Sequence, residues 1–182
     1  MAFQYRKIGI IREGKEPADR RVPLTPMQCR EVSIRFPQVD LVVQRSPVRA
    51  FTDAEYIDAG VRVVDDLSDR EFILGVKEVP LDMLLTEKSY LFFSHTIKRQ
   101  PQNKKLMHAV LERNITLIDH ELLTDRHGDR VLAFGYWAGV VGAYNGFRAW
   151  QLVHGGPVLK PAHECHDLEE LERHLHAYPL PK

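Results

Sequence analysis

The sequence has few of the features that assign a chain to a protein class at first sight. Its two cysteines, Cys29 and Cys165, are far apart and belong to no motif, which excludes a disulfide-stapled fold and predicts free thiols in a reducing cytosol. Basic and acidic residues balance at 25 each. Bulk charge therefore predicts no attraction to nucleic acid or to an anionic membrane.

Long apolar segments are absent as well. The N-terminal stretch has no apolar segment before a small-residue cleavage site, so no secretory signal is predicted. The longest uncharged run, Val131–Phe147, is short for a membrane span and contains four glycines and Asn145. We therefore expect a cytoplasmic protein that does not bind a membrane.

Signatures of nucleotide binding and of nucleophilic catalysis are missing too. No G-x-G-x-x-G follows a predicted strand, and neither a P-loop nor a G-x-S-x-G elbow is present. We expect no nucleotide to bind tightly to this chain alone. The run His163–His166 contains histidine, glutamate and cysteine, but no second ligand pair follows at finger-like spacing, so no metal is predicted.

What the sequence does contain is an alternation of short β-branched or apolar runs with capped helical segments. Strands are predicted at Lys7–Arg12, Leu41–Gln44, Val61–Val64, Phe72–Lys77, Tyr90–His95, Ile115–Asp119 and Val131–Phe134. One helix is predicted from the cap Thr25 to about Phe36, and a second from the cap Thr52 to about Gly60. A single helical turn is predicted at Met83–Glu87, and longer helices at Gln102–Arg113, Trp137–Val153 and Leu168–Ala177. This alternation predicts a Rossmann-like or flavodoxin-like α/β fold, a mostly parallel sheet with helices on both faces.

Two apolar runs, Phe72–Val76 and Tyr90–Ser94, lead directly into ionisable residues. Lys77 and Glu78 follow the first run, and His95 follows the second. Open α/β sheets bind ligands at the carboxyl ends of their strands, so we expect these side chains to converge on one crevice. A lysine that is partly desolvated can act as a general base, and a histidine exchanges protons near neutral pH.

Further charged residues follow other predicted strands. Arg12 and Arg21 lie in the first strand's loop, where a guanidinium can hold a substrate carboxylate through two hydrogen bonds. Glu78 and Glu121 would tune the pKa of neighbouring cations. Each residue also has a simpler interpretation, as a solvated surface charge or, for His95, as a hydrogen-bonded histidine at a strand end.

Five segments between about Arg6 and Trp150 resemble one known family. They are IREGKEPADRRVPLTP, FTDAEYIDAG, ILGVKEVP, FFSHTIK and AFGYWAGVVGA. The family is the N-terminal domain shared by alanine dehydrogenase, proton-translocating nicotinamide nucleotide transhydrogenase and lysine-forming saccharopine dehydrogenase. GVKEVP and FFSHTIK are most similar to the saccharopine dehydrogenase and lysine–ketoglutarate reductase branch.

This resemblance implies a chemistry for the residues singled out above. Lys77 and His95 match the family's acid–base pair, and Glu78 and Glu121 match neighbouring acids that tune it. Arg21 matches a binder of the substrate carboxylate, and Arg12 would assist it. The implied reaction is the reductive condensation of lysine with 2-oxoglutarate to saccharopine, or its reverse, with NAD or NADP as cofactor in the complete enzyme.

The resemblance also implies an organisation. Residues 1–160 would form the substrate-side domain, and residues 161–182 a helix and linker toward a nucleotide-binding domain or partner chain. We expect no turnover by the chain alone. The small-residue face of the Trp137–Val153 helix leaves open an inter-domain, homodimer or plain core contact. The alternatives are an alanine dehydrogenase-like domain and a non-catalytic ligand-binding or regulatory module.

Overall fold

The computed structural model describes residues 6–177, and the chain divides after Leu132 into two compact units. The residues of the predicted C-terminal linker beyond 177, and those before 6, lie outside the described part. The first unit contains one six-stranded sheet in which every recorded strand pair is parallel. Its strands are β1 (Lys7–Ile10), β2 (Asp40–Gln44), β3 (Arg62–Val64), β4 (Phe72–Leu74), β5 (Ser89–Phe92) and β6 (Thr116–Asp119).

The strands are arranged in the order β3-β2-β1-β4-β5-β6. This is the doubly wound order, in which the chain runs outward in one direction from β1 and then in the other from β4. The predicted α/β fold class is confirmed. In such a sheet the loops after β1 and β4 separate at the carboxyl edge and leave a crevice there.

Helices cover both faces of this sheet because its strands bury side chains alternately on each side. On β2, Leu41 and Val43 pack in the core beside Cys29 of α1 (Pro26–Arg35) and Tyr56 of α2 (Asp53–Asp58). Val42 points the other way. It belongs to the core that includes Leu106 and Val110 of α3 (Lys104–Glu112).

The predicted helix starts are confirmed where capping residues were read from the sequence. Thr25 and Thr52 each form a complete capping box, with Gln28 and Glu55 as the reciprocal partners. In the second unit, Asp167 accepts a hydrogen bond from the backbone N–H of Glu170 and caps α5 (Leu168–His176).

Two predicted elements are wrong. Residues 131–134 do not form a strand; the described residues there make one isolated antiparallel bridge, between Thr124 and Arg130. The apolar run instead leads into the helix α4 (Gly135–His154). Residues 81–87 form turns rather than a helical turn, since a five-residue segment gains little from helix formation.

The second unit consists mainly of α4 and α5. Its buried apolar core is small and contains Tyr144, Leu159 and Leu171. No helix among residues 6–177 combines the length and apolarity needed to cross a membrane. Both cysteines are free thiols, as predicted, with Cys29 buried in the first unit and Cys165 half-buried in the second.

Candidate active site

The carboxyl ends of β4 and β5 bring a lysine and a histidine together. Lys77 follows β4 and is half-buried, and its Nζ lies 3.4 Å from Nε2 of His95 in the loop after β5. The two segments stay aligned beyond the strands because Phe93 N donates to the carbonyl oxygen of Val76 at 3.0 Å. The sequence prediction that these two side chains share one crevice is therefore matched by the geometry.

Two carboxylates flank the same imidazole. Glu78 Oε1 lies 3.7 Å from His95 Nε2, and Glu121 Oε2 lies 3.3 Å from His95 Nδ1. Each ring nitrogen thus faces an acceptor, and Nε2 also faces the ammonium of Lys77. An imidazole, an amine and two carboxylates grouped in this way are the side chains that general acid–base chemistry uses.

Glu121 itself is held by cations that sequence analysis did not assign to the site. Lys98 Nζ lies 2.7 Å from its Oε1, and Arg130 Nη2 lies 3.9 Å from the same oxygen. The hydrogen bond from Lys98 is the main reason that the pKa of Glu121 is below its usual range. Glu121 therefore stays ionised at neutral pH and supplies a fixed negative charge to His95.

The position of His95 is set by a buried polar contact below it. His95 has a left-handed backbone conformation, with φ of 53°, which a non-glycine residue adopts at a cost. The preceding Ser94 is fully buried, and its hydroxyl donates to Asp119 Oδ2 at 2.5 Å. Asp119 Oδ1 accepts the backbone N–H of Glu121 at 2.8 Å. Asp119 thus ties the loop that carries His95 to the loop that carries Glu121.

Glu13 fixes the loop that carries Lys77, after β4, in a similar way. Its two carboxylate oxygens accept the backbone N–H groups of Val76, at 2.7 Å, and of Lys77, at 2.9 Å. Burial raises the pKa of Glu13, although these two bonds act in the opposite direction. The sequence analysis missed Glu13 and Asp119. Their only sequence signal is an acidic residue just after, or at the end of, a predicted buried strand.

The two arginines predicted to bind a carboxylate are placed differently. Arg21 Nε donates to Asp19 Oδ1 at 2.9 Å and its Nη2 lies 2.5 Å from Oδ2. That contact is the main cause of the lowered pKa of Asp19. The same loop reaches the cluster through Lys15, whose Nζ lies 3.1 Å from Glu78 Oε2. Arg12 is exposed, and its backbone N–H donates a hydrogen bond to Gln44 Oε1 at 3.1 Å. The structure does not bring the Arg12 side chain into the cluster.

An open cleft of about 470 Å³ adjoins the cluster. Its walls include His95, Glu78, the ammonium groups of Lys15 and Lys98, and three side-chain amides. Lys15 Nζ also pairs with Glu78 at 3.1 Å. Cations and amides are the groups that hold carboxylates, so the cleft suits a small molecule with more than one carboxylate.

The turn after β1 does not fit a dinucleotide. Rossmann turns use glycines so that a phosphate can approach the backbone closely. The one glycine in this turn, Gly14, is covered instead: a Cβ there would lie 2.6 Å from Met83 Sδ and 2.7 Å from Pro80 Cγ. The described residues therefore offer no pyrophosphate cradle at this turn.

Residues 9–141 match the model of the family described as alanine dehydrogenase/PNT, N-terminal domain. The chain belongs to this family. The matched residues contain Lys77, His95, Glu78 and Glu121, and the resemblance predicted from the sequence is confirmed.

Relatives with longer chains share this domain. The chain is 43% identical over 139 residues to an alpha-aminoadipic semialdehyde synthase of Arabidopsis thaliana, a match that covers 74% of this chain and 13% of the relative. It is 32% identical over 145 residues to a saccharopine dehydrogenase [NAD(+), L-lysine-forming] of Yarrowia lipolytica, which covers 77% of this chain and 39% of that one. The chain thus spans well under half of either relative.

A solved structure supports the fold. An L-alanine dehydrogenase superposes with a TM-score of 0.64 at 20% sequence identity, over 83% of this chain and 43% of that one. At this identity the likeness concerns the architecture alone, and it agrees with the doubly wound sheet described above.

Proposed function

We propose that this domain forms the substrate-binding and proton-transfer wall of a saccharopine dehydrogenase-like oxidoreductase that acts on the CH–NH group of an amino acid. The observation that carries the proposal is the 3.4 Å approach of Lys77 Nζ to His95 Nε2 at the carboxyl edge of the sheet. Family membership supports it, since relatives at 43% and 32% identity are an alpha-aminoadipic semialdehyde synthase and a saccharopine dehydrogenase.

The proposed reaction needs groups that move several protons. In the oxidative direction the secondary amine of saccharopine loses a proton from nitrogen and a hydride from the adjacent carbon, which leaves an imine. Water then adds to the imine carbon, a proton moves from oxygen to nitrogen, and the carbon–nitrogen bond breaks to give lysine and 2-oxoglutarate. Lys77 and His95 would take and return these protons, and Glu78 and Glu121 would stabilise the cationic forms.

Substrate carboxylates would be held by the basic groups around the cleft. Arg21 already binds a carboxylate through two nitrogens, that of Asp19, and a substrate carboxylate would replace it. Lys15 and Lys98 line the cleft directly. Arg12 would contribute only if its exposed side chain turned toward the cleft.

The redox cofactor would be NAD or NADP, which accepts or donates the hydride when bound. The turn after β1 does not fit it, so the cofactor would be held by a nucleotide-binding domain or partner chain. In that arrangement residues 1–160 are the substrate-side domain, and residues 161–182 lead toward the nucleotide domain. This chain's own contribution is to bind the substrate and transfer protons.

Calorimetric titration of the chain tests the proposal. Saccharopine is expected to bind more tightly than lysine or 2-oxoglutarate alone, because it carries the carboxylates of both. His95→Gln should weaken this binding, and His108→Gln, an exposed histidine of α3 away from the cluster, should not. No heat with any of these ligands would contradict the proposal. Binding of alanine or pyruvate alone would favour the alanine dehydrogenase-like alternative.

A further inference from the structure

The second unit gathers three potential metal ligands from two segments. Cys165 lies in the loop before α5, and Glu170 and His174 lie one turn apart on α5 itself. One ligand atom from each of these residues lies within 4.8 Å of the other two. The sequence predicts no metal here, because the possible ligands of the run His163–His166 crowd one short segment and no second ligand pair follows. In the folded chain, the possible ligands beside Cys165 are Glu170 and His174 of the following helix rather than the residues next to it in sequence.

One distance between these ligand atoms is close to that of a tetrahedral site, and Glu170 Oε1 lies 3.9 Å from the other ring nitrogen of His174, Nε2. Zinc bonds of about 2.3 Å to sulfur and about 2.0 Å to nitrogen at a tetrahedral angle separate the two ligand atoms by roughly 3.5 Å. Cys165 Sγ lies 3.8 Å from His174 Nδ1. A movement of a few tenths of an ångström would therefore bring the sulfur and the nitrogen into range of one ion.

The hydroxyl of Tyr144 on α4 lies beside the same three side chains. The Tyr144 hydroxyl lies 3.3 Å from His174 Nδ1 and 4.0 Å from Cys165 Sγ. At these distances the hydroxyl can orient a ligand or a metal-bound water by a hydrogen bond. The three ligands leave the fourth coordination position open.

The surrounding structure gives such an ion a physical role. The apolar core of the second unit has three buried members, Tyr144, Leu159 and Leu171, and units with small cores commonly depend on a cross-link or a metal for stability. An ion bound by the loop cysteine and two side chains of α5 would fasten the loop to the helix. It would also sit against Tyr144 of α4.

We propose that Cys165, Glu170 and His174 bind one divalent transition-metal ion of the zinc class, with an open fourth position for water. Thiolate, imidazole and carboxylate together suit this class better than magnesium or calcium, which prefer oxygen ligands alone. On binding, the thiol proton of Cys165 leaves to solvent as the sulfur–metal bond forms.

Lys160 competes with the ion for Glu170. Its Nζ lies 2.6 Å from Glu170 Oε1, and its side chain is 39% exposed, so it can turn into solvent when a cation arrives. Lys160→Met removes this competitor without touching a ligand. The variant should bind the metal more tightly than the natural chain.

Cobalt titration of the metal-free chain provides the test, because a thiolate-bound cobalt ion gives a charge-transfer absorption band that an imidazole or carboxylate site lacks. We expect saturation at one ion per chain, with zinc displacing the cobalt. Cys165→Ser should abolish the band, and His174→Gln should weaken binding at least about tenfold. Cys29→Ser and His166→Gln are the controls and should leave both the band and the affinity unchanged.

The outcomes separate a metal site from a hydrogen-bonded cluster. Circular dichroism of each variant reports whether the helices persist, so loss of the band with the fold intact supports the site. No cobalt band in the natural chain, or a band that survives in Cys165→Ser, would overturn the proposal. The Lys160→Met variant keeps every ligand, so a change in its metal affinity cannot be explained by loss of a ligand or of the fold. A decrease in its affinity for cobalt would also count against the site.

Discussion

The two edges of the parallel sheet are both rich in charge, but they use it differently. At the amino edge the buried guanidinium of Arg70 pairs with Asp40 Oδ2 at 2.8 Å and with Asp69 on its other nitrogens. These contacts join the starts of β2 and β4. At the carboxyl edge, His95 faces Lys77 and two carboxylates at once.

The difference lies in how fully each charge is paired. Arg70 lies almost entirely below the surface, with 5% of its side chain exposed, and its partners hold it from two sides. These contacts occupy all three nitrogens of the guanidinium, so it serves the fold rather than a ligand. At the carboxyl edge several acids and bases share partners beside an open cleft, so a proton or a ligand can change the pairing at small cost. Charge density alone therefore does not indicate a candidate site, whereas shared and incomplete pairing at the crevice of a doubly wound sheet supports one.

The largest effect is expected when Lys77 is replaced. In a longer protein where a nucleotide-binding domain accompanies this one, Lys77→Met should lower kcat by about 10²–10⁴-fold, the usual contribution of a general acid or base. The Kd for the nucleotide should change by less than about twofold, since the proton-transfer wall is not the nucleotide site. Steady-state kinetics and nucleotide titration measure the two quantities. An unchanged kcat would remove Lys77 from the proposed chemistry.

The matched change at the amino edge is Arg70→Met. It leaves Asp40 and Asp69 without their buried partner, and both are partly solvated, so we expect the free energy of unfolding to fall by about 1–3 kcal/mol. Ligand affinity at temperatures where the variant is folded should stay the same. Urea unfolding and calorimetry test both halves. A loss of affinity without a loss of stability would reverse the assigned roles of the two edges.

The edges should also differ in pH dependence. Asp69 at the amino edge has its pKa lowered to about 2 from 3.8, mainly by its hydrogen bond with Arg70. Folding therefore favours its ionised form, and this stabilisation is lost as the pH falls from about 4 toward about 2. Glu13 at the carboxyl edge has a pKa raised above 4.5 by burial, so the native state binds its proton more readily than the unfolded state.

The contribution of Glu13 to the pH dependence of stability has the opposite sign to that of Asp69. The stability associated with Glu13 decreases as the pH rises from about 4.5 through its raised pKa. Measured in urea across this range, the unfolding free energy of the natural chain should fall relative to that of Glu13→Gln as the pH rises. Asp69→Asn should flatten the slope only in the more acidic window. The same slope in Glu13→Gln and the natural chain would contradict the assignment.

The smallest effects are expected at two exposed lysines, one at each edge. Lys7 lies 3.8 Å from Asp69, and Lys15 lies 3.1 Å from Glu78, with 50% and 43% of the respective side chains exposed. Lys7→Gln and Lys15→Gln should each change the free energy of unfolding by less than about 1 kcal/mol, as exposed ion pairs do. Only Lys15→Gln should weaken saccharopine binding, because Lys15 lines the cleft. Equal affinities in the two variants would argue against the cleft as the binding site.

The sequence was informative wherever a single local rule decides the structure. Buried apolar runs predicted the parallel sheet, and threonine followed three residues later by Gln28 or Glu55 predicted two helix starts. The ionisable residues after the runs predicted which side chains would converge. Strand ends were placed too far along, since β4 stops at Leu74 and β5 at Phe92, although Phe93 N still donates to the carbonyl oxygen of Val76 beyond them.

The supporting residues could not be predicted because their roles depend on contacts between distant segments. Glu13 accepts two backbone N–H groups more than 60 positions away, with separations of 63 and 64 residues. Asp119 reaches Ser94 across 25 residues. Arg12 is the opposite case: its position after a predicted strand suggested a place in the site, but its guanidinium is exposed and lies outside the cluster. The roles assigned to Lys77, His95 and the acids remain predictions.

The most direct test of the central claim is whether saccharopine binding by this chain exchanges protons. Calorimetric titrations at pH 7 in buffers of different ionisation enthalpy give the number of protons taken up. The carboxylates of the ligand stabilise an imidazolium beside them, so we predict net proton uptake in the natural chain and in Arg70→Met, and none in His95→Gln. Binding without proton uptake, or uptake that persists in His95→Gln, would contradict the account of the carboxyl edge as a proton-transfer site.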